Sequence, residues 1–136
     1  MKTISQLIIT MMICLFSIQT WAQSGKLFNT DNQLSSNLAT QVFQDKSGFI
    51  WIATRNGLNN YDGYHITVIK KDMSNFLGLN SNYINSIAQD EKEHILLGTN
   101  NSLLEFTGSE FLKIPMLDSK GEELATYVKQ VYPLKN

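Results

Sequence analysis

The chain says one thing twice. Leu34–Ile69 aligns with Leu79–Ile114 at a constant offset of 45 residues and without a gap, and 11 of the 36 paired positions are identical. The identical pairs include Ser36/Ser81, Asn37/Asn82, Asp45/Asp90, Thr54/Thr99, Asn56/Asn101 and Gly63/Gly108. Conservative pairs such as Val42/Ile87, Trp51/Leu96 and Tyr61/Phe106 extend the match. A period in this range belongs to propeller blades or to helical arrays. In both, one unit cannot bury its faces alone, so the repeat dictates a chain of stacked neighbours.

Local signals choose strands. Lys46-Ser47-Gly48 is a polar turn, and Phe49–Thr54 is a short aromatic and β-branched run suited to a strand buried on both sides. Asn56-Gly57 predicts a two-residue type I′ hairpin, in which both positions need positive φ. Leu58–Tyr61 is the next strand, and Asp62-Gly63 the next turn. Tyr64–Ile69 then alternates, with Tyr64, Ile66 and Val68 on one side. With Thr40–Asp45 in front, these make four antiparallel strands, which is one propeller blade. The glycines at 48, 57 and 63 leave no window as long as a helix. The second copy keeps the pattern with Glu93 for Gly48, Ser102 for Gly57 and Thr107 for Asp62. There Asn100 and Asn101 are expected to supply left-handed positions, which Asn tolerates.

The fold class expected is therefore all-β: an incomplete β-propeller of two four-stranded antiparallel blades, about 34–69 and 79–114, plus the start of a third at about 124–136, after a signal peptide. The third copy rests on Tyr127, Val128 and Val131, which sit where Tyr83, Ile84 and Ile87 sit in the second. A helix remains open for the tail 122–132, since Leu124, Tyr127, Val128 and Val131 share i, i+3, i+4, i+7 spacing. Gln23–Asp31 reads as an extended lead-in that pairs with a sheet edge. Lys70–Gly78 reads as the polar link between blades, with Phe76 and Leu77 embedded in it.

Met1–Ala22 reads as a cleavable signal peptide. Lys2 is its positive start, Leu7–Ile18 its apolar run, and Thr20-Trp21-Ala22 its cleavage site. The run falls short of the roughly 20 apolar residues of a membrane span. The single cysteine, Cys14, lies inside that run, so the exported domain 23–136 holds together without disulfides. A net charge of −1, with no basic stripe, argues against nucleic acid as a partner.

Leu34-Ser35-Ser36-Asn37, Val42, Gln44-Asp45, Gly48–Ile52, Thr54, Asn56-Gly57-Leu58 and Tyr61-Asp62-Gly63 together resemble the blade motif of two-component regulator propellers. The resemblance covers Leu34 to about Ile114. Ala53 stands where that family usually has glycine, and the second copy lacks two turn glycines. The resemblance implies a periplasmic sensor region of a Bacteroidetes hybrid two-component system. Full-length relatives are implied to be attached to the inner membrane, to carry kinase and receiver, and to sense oligosaccharides. The chain then reads as the amino-terminal part of such a sensor, lacking kinase and receiver, with no enzyme activity of its own. Two blades and a beginning leave sheet faces bare, so self-association or aggregation is expected. A fragment of a propeller hydrolase or lyase, or a non-functional remnant, is the alternative.

No catalytic, cofactor or metal residue is expected, and no ligand-binding residue is assigned. Trp51 could stack a sugar, but its mid-strand place and its pairing with Leu96 favour the core. Asp45 and Asp90 recur once per blade before a turn, which favours capping over a catalytic pair. His65 and His94 are not repeat-equivalent and have no partner at metal-ligand spacing. Ser35 and Ser36 lack the strand-turn-helix setting of a nucleophile. Asn56 and Asp62 serve turns. Arg55 and Tyr64 flank turns and are spare to the core, which makes them the better ligand candidates.

Overall fold

The computed structural model describes residues 25–71, 78–124 and 126–133, together with Thr3, Ile4 and Gln6. The expected cleavage site at Ala22 and most of the expected link between the blades lie outside the described residues. Blade 1 is β1 (Ala39–Gln44), β2 (Ile50–Thr54), β3 (Gly57–Tyr61) and β4 (Ile66–Ile69). Blade 2 is β5 (Ile84–Gln89), β6 (Ile95–Thr99), β7 (Leu103–Phe106) and β8 (Phe111–Ile114). Each forms a four-stranded sheet in sequence order, and every pairing is antiparallel. The 45-residue offset survives in the backbone. Even the register irregularity recurs, between Ala39 and Gln41 in β1 and between Ile84 and Ser86 in β5. Among the described residues no helix is long and apolar enough to cross a membrane.

The core lies between the blades. Trp51, Ala53, Leu58 and Ile69 of blade 1 cluster with Ile84, Ile87, Ile95, Leu97, Leu104, Phe106 and Phe111 of blade 2. β2 is buried on both faces, as its continuous apolar run requires. β5, with blade 1 in front of it, is largely buried. Its counterpart β1 is half exposed, with Val42 63% accessible.

Side chains of β1 also bond to the backbone of β5. The Gln41 amide donates through Nε2 to the Ile87 carbonyl at 2.9 Å and accepts from the Ile87 N–H at 2.8 Å. Thr40 Oγ1 donates to the Ile84 carbonyl at 2.6 Å. Further out, the Gly57 N–H donates to the Asn82 carbonyl at 2.7 Å, and the Lys46 N–H to Gln89 Oε1 at 2.9 Å.

A buried polar network fixes the end of blade 1. Asn59, fully buried on β3, accepts from the Ser35 N–H at 2.8 Å. Its Nδ2 donates to Ser35 Oγ and to the Ile52 carbonyl, both at 2.9 Å. Thr54 Oγ1 contacts Ser35 Oγ, donates to the Gly57 carbonyl and accepts from the Asn56 N–H. Blade 2 solves the same problem differently. Leu104 replaces Asn59 and is fully buried, and Asn80 takes the Ser35 position. There Asn80 Nδ2 donates to Ser102 Oγ at 2.8 Å, and Ser102 stands where blade 1 has Gly57.

The structure corrects several expectations and closes one open alternative. The first hairpin turn is Arg55-Asn56, not Asn56-Gly57, because Thr54 pairs with Gly57 inside the ladder. Gly57 is needed for a different reason: at φ +133° a Cβ would meet the Ile69 carbonyl oxygen at 3.0 Å. Positive φ falls at neither Asn56, Asn100 nor Asn101. Tyr64 is 84% exposed in the loop before β4 rather than on the strand. The described part of the lead-in, residues 25–31, joins no sheet: Thr30–Asn32 is a 3-10 turn, and Phe28 packs edge-on against Tyr61 at 4.9 Å. Residues 126–133 are not helical. They run along blade 2, the Val128 N–H donating to the Thr99 carbonyl at 2.9 Å and Asn85 Nδ2 to the Val128 carbonyl at 3.0 Å.

Replacing Asn59 with Ala strands the Ser35 N–H in a buried site, whereas the Ile52 carbonyl keeps its ladder partner on β3. At about 1–3 kcal/mol for one orphaned group, unfolding stability should fall by roughly 1–3 kcal/mol, read from the denaturant midpoint. A loss under about 1 kcal/mol would show that water satisfies the site instead.

Candidate functional site

An up-and-down sheet sends alternate loops to opposite ends. The β1–β2 and β3–β4 loops of blade 1 share one end with their blade 2 equivalents. The β2–β3 turn and the segments leading into β1 and β5 share the other.

The first end is built by aspartates. Asp45 Oδ1 accepts from the Phe49 N–H at 2.9 Å, and the Gly48 N–H donates to the Asp45 carbonyl at 3.0 Å. Asp45 Oδ2 accepts from Trp51 Nε1 at 2.8 Å. Asp90 repeats the turn, accepting from the His94 N–H at 2.8 Å, and the Glu93 N–H donates to its carbonyl. Asp62 Oδ1 accepts from the Tyr64 and His65 N–H groups, both at 2.7 Å. The His65 and Tyr64 amides hold the Asp62 carboxyl below its ordinary range. These carboxylates serve backbone geometry: each accepts from a turn amide, and the second oxygen of Asp45 is taken by the Trp51 indole.

Between the blades at this end lies a cleft of about 590 Å³, within the range of ligand pockets. Asp45, Phe49, Trp51 and Asn60 line it from blade 1, and Glu93 and Phe106 from blade 2. Trp51 is 6% exposed and meets Phe106 edge-on at 5.7 Å. Its indole N–H and its ring face are both engaged, so it is a core residue rather than an open stacking platform.

The other end carries a pair of which sequence reasoning named only one member, exposed Arg55, and missed the half-buried Tyr83. The Arg55 guanidinium sits over the Tyr83 ring, 5.5 Å from its centroid, and joins the two blades. Tyr83 was discoverable as the repeat partner of exposed Leu38, where an aromatic replaces an aliphatic residue. Arg55 and Tyr64 are not brought together, since they occupy loops at opposite ends of blade 1. Ser35 is buried in the Asn59 network, and Ser36 Oγ accepts from the Leu38 N–H.

His65 is exposed, 3.8 Å from Asp62. His94 has partners that linear spacing hid. Its Nδ1 lies 2.5 Å from Glu105 Oε1 and 3.8 Å from Asp90 Oδ2. The ligand atoms of Asp90, His94 and Glu105 all fall within 4.8 Å of one another.

Residues 33–56 and 78–101 each match the two component regulator propeller family. The two matches coincide with the first half of each blade. The chain carries two-component regulator propeller repeats. The same arrangement occurs in the extracellular domain of BT3049, described as a hybrid two component system from B. thetaiotaomicron. That domain is 24% identical with a TM-score of 0.63, over 76% of this chain and 15% of the other. The extracellular domain of BT4673 from the same organism, described likewise, is 20% identical with a TM-score of 0.55, over 63% and 12% of the two chains. The chain thus spans well under a fifth of the length of these structural neighbours. No curated relative matches it. In the two copies of this chain, the shared Asp, Thr and Asn positions are turn and network residues.

The two repeats make one internal comparison testable. Gly48 takes φ +92°, and Glu93, its partner in blade 2, takes φ +70°. A left-handed conformation costs a residue with a Cβ about 1–2 kcal/mol. The Glu93 carboxylate contributes only an exposed contact with Lys46 at 3.9 Å, and such pairs contribute little. Glu93→Gly should therefore raise stability by about 1 kcal/mol, and Gly48→Ala should lower it by a similar amount, in paired thermal melts. A drop for Glu93→Gly would show that the Lys46 contact outweighs backbone strain.

Proposed function

We propose that the chain is part of a periplasmic ligand-sensing propeller that recognises oligosaccharides and performs no chemistry itself. The observation that carries the reading is the stacking of two regulator propeller repeats as consecutive blades, an arrangement shared with extracellular domains of two-component systems. Export by a leader at Met1–Ala22 fits that location. The engagement of Asp45, Asp62 and Asp90 in turns fits a binding role over a hydrolytic one.

Arg55 and Tyr83 are the contact residues this reading favours. A half-buried aromatic ring beside an exposed guanidinium offers an apolar platform and a fork of hydrogen-bond donors for hydroxyl-rich ligands. The half-exposed β1 face supports a second part of the proposal, association with a further blade or with another copy.

Titration of the purified chain with a panel of oligosaccharides, followed by calorimetry, tests this. At least one glycan should bind saturably, and Arg55→Ala and Tyr83→Ala should each weaken it by about tenfold, or roughly 1.4 kcal/mol. Sedimentation of the same samples should show species larger than a monomer. Absence of binding across the panel, or binding indifferent to both substitutions, overturns the assignment of this surface.

A further inference from the structure

We propose that Asp90, His94 and Glu105 form a binding site for a divalent transition-metal ion of the zinc type at the loop end of blade 2, where His94 also borders the cleft between the blades. The β5–β6 turn and the strand β7 deliver the donors. Asp90 follows β5, His94 precedes β6, and Glu105 lies in β7 opposite Leu96. His94 and Leu96 alternate to the same face of the sheet, so the imidazole and the Glu105 carboxylate meet across the β6–β7 pair. The Asp90 cap on the His94 N–H ties two of the three donors to one rigid turn.

The repeat supplies an internal control. In blade 1 the corresponding residues are Asp45, Phe49 and Asn60. There the second oxygen of Asp45 is taken by the Trp51 indole. In blade 2 Leu96 replaces that tryptophan and offers no donor, and the freed Asp90 Oδ2 faces His94 Nδ1 at 3.8 Å. Blade 2 therefore differs from its sibling at three touching positions. The result is an imidazole and a second carboxylate beside the aspartate in place of a phenyl ring, an indole and an amide. Turn formation requires neither His94 nor Glu105, because blade 1 makes the same turn without them.

Charge and geometry agree with a cation. The Asp90 and Glu105 side chains are only 25% and 26% exposed. Among the described residues, neither carboxylate pairs with Lys or Arg. A divalent ion would neutralise both. Imidazole nitrogen and carboxylate oxygen suit Zn²⁺ at about 2.0–2.2 Å, which sets ligand atoms about 3.3 Å apart. The 2.5 Å contact must open and the 3.8 Å contact close, each by less than about 1 Å. Three protein donors leave one tetrahedral position for water or an outside ligand.

The test is titration of the untagged, chelator-treated full chain with ZnCl₂ by calorimetry, and with CoCl₂ by visible absorption. One equivalent should bind, with d–d bands of a four- or five-coordinate cobalt site. His94→Phe and Glu105→Asn import the blade 1 residues and so preserve the sheet, which circular dichroism verifies. Each should weaken binding by at least about tenfold, while His65→Asn should leave it unchanged. No saturable binding below millimolar metal, or binding that survives both substitutions, overturns the proposal.

Discussion

The structure depends on the contact between adjacent blades. A four-stranded sheet has two faces, and neither blade can bury both of its own. Nearly every large core residue, from Trp51 and Leu58 on one side to Leu97 and Phe106 on the other, is buried by the neighbouring sheet. Apolar packing of this kind is strong but tolerant of sliding. The Gln41 amide removes that freedom by bonding to both the N–H and the carbonyl of Ile87. Hydrophobic burial holds the blades together, and a few directional bonds set how one sits on the next.

Within each blade, strain and polarity are distributed by the same economy. The loop ends need left-handed residues and orphan amides need acceptors, so Asp45, Asp62 and Asp90 each accept from backbone N–H groups. The buried network around Asn59 in blade 1 becomes an apolar Leu104 in blade 2, with the amide shifted to Asn80 and a hydroxyl added at Ser102. The exchange leaves Asn80 Oδ1 buried without a partner among the described residues. A half-satisfied buried network is the costlier arrangement. Two copies of one repeat thus reach the same backbone by different means, which makes each copy a reference for the other.

Much of the blade was legible from the residues. Strand positions followed from short apolar runs, and the capping roles of Asp45 and Asp90 from their place before a turn. The turn at Asn56-Gly57 was misread because the dipeptide signal ignores where the ladder closes. Thr54 Oγ1 bonds to the Asn56 N–H and the Gly57 carbonyl and moves the turn one residue earlier. Tyr64 was misplaced because alternation cannot tell a strand's first residue from the loop before it. Tyr83 and Glu105 carried no linear signal beyond their mismatch with the other repeat.

The sequence by itself determined the period, the four strands per repeat and the aspartate caps of the turns. All of these follow from interactions between residues close along the chain, or from comparison of one copy with the other. Only the tertiary structure decided which side chains meet: Arg55 over Tyr83, Gln41 on Ile87, and His94 between Asp90 and Glu105. Those meetings depend on strand register and on the seating of one sheet against the next. A shift of one residue would send each side chain to the opposite face.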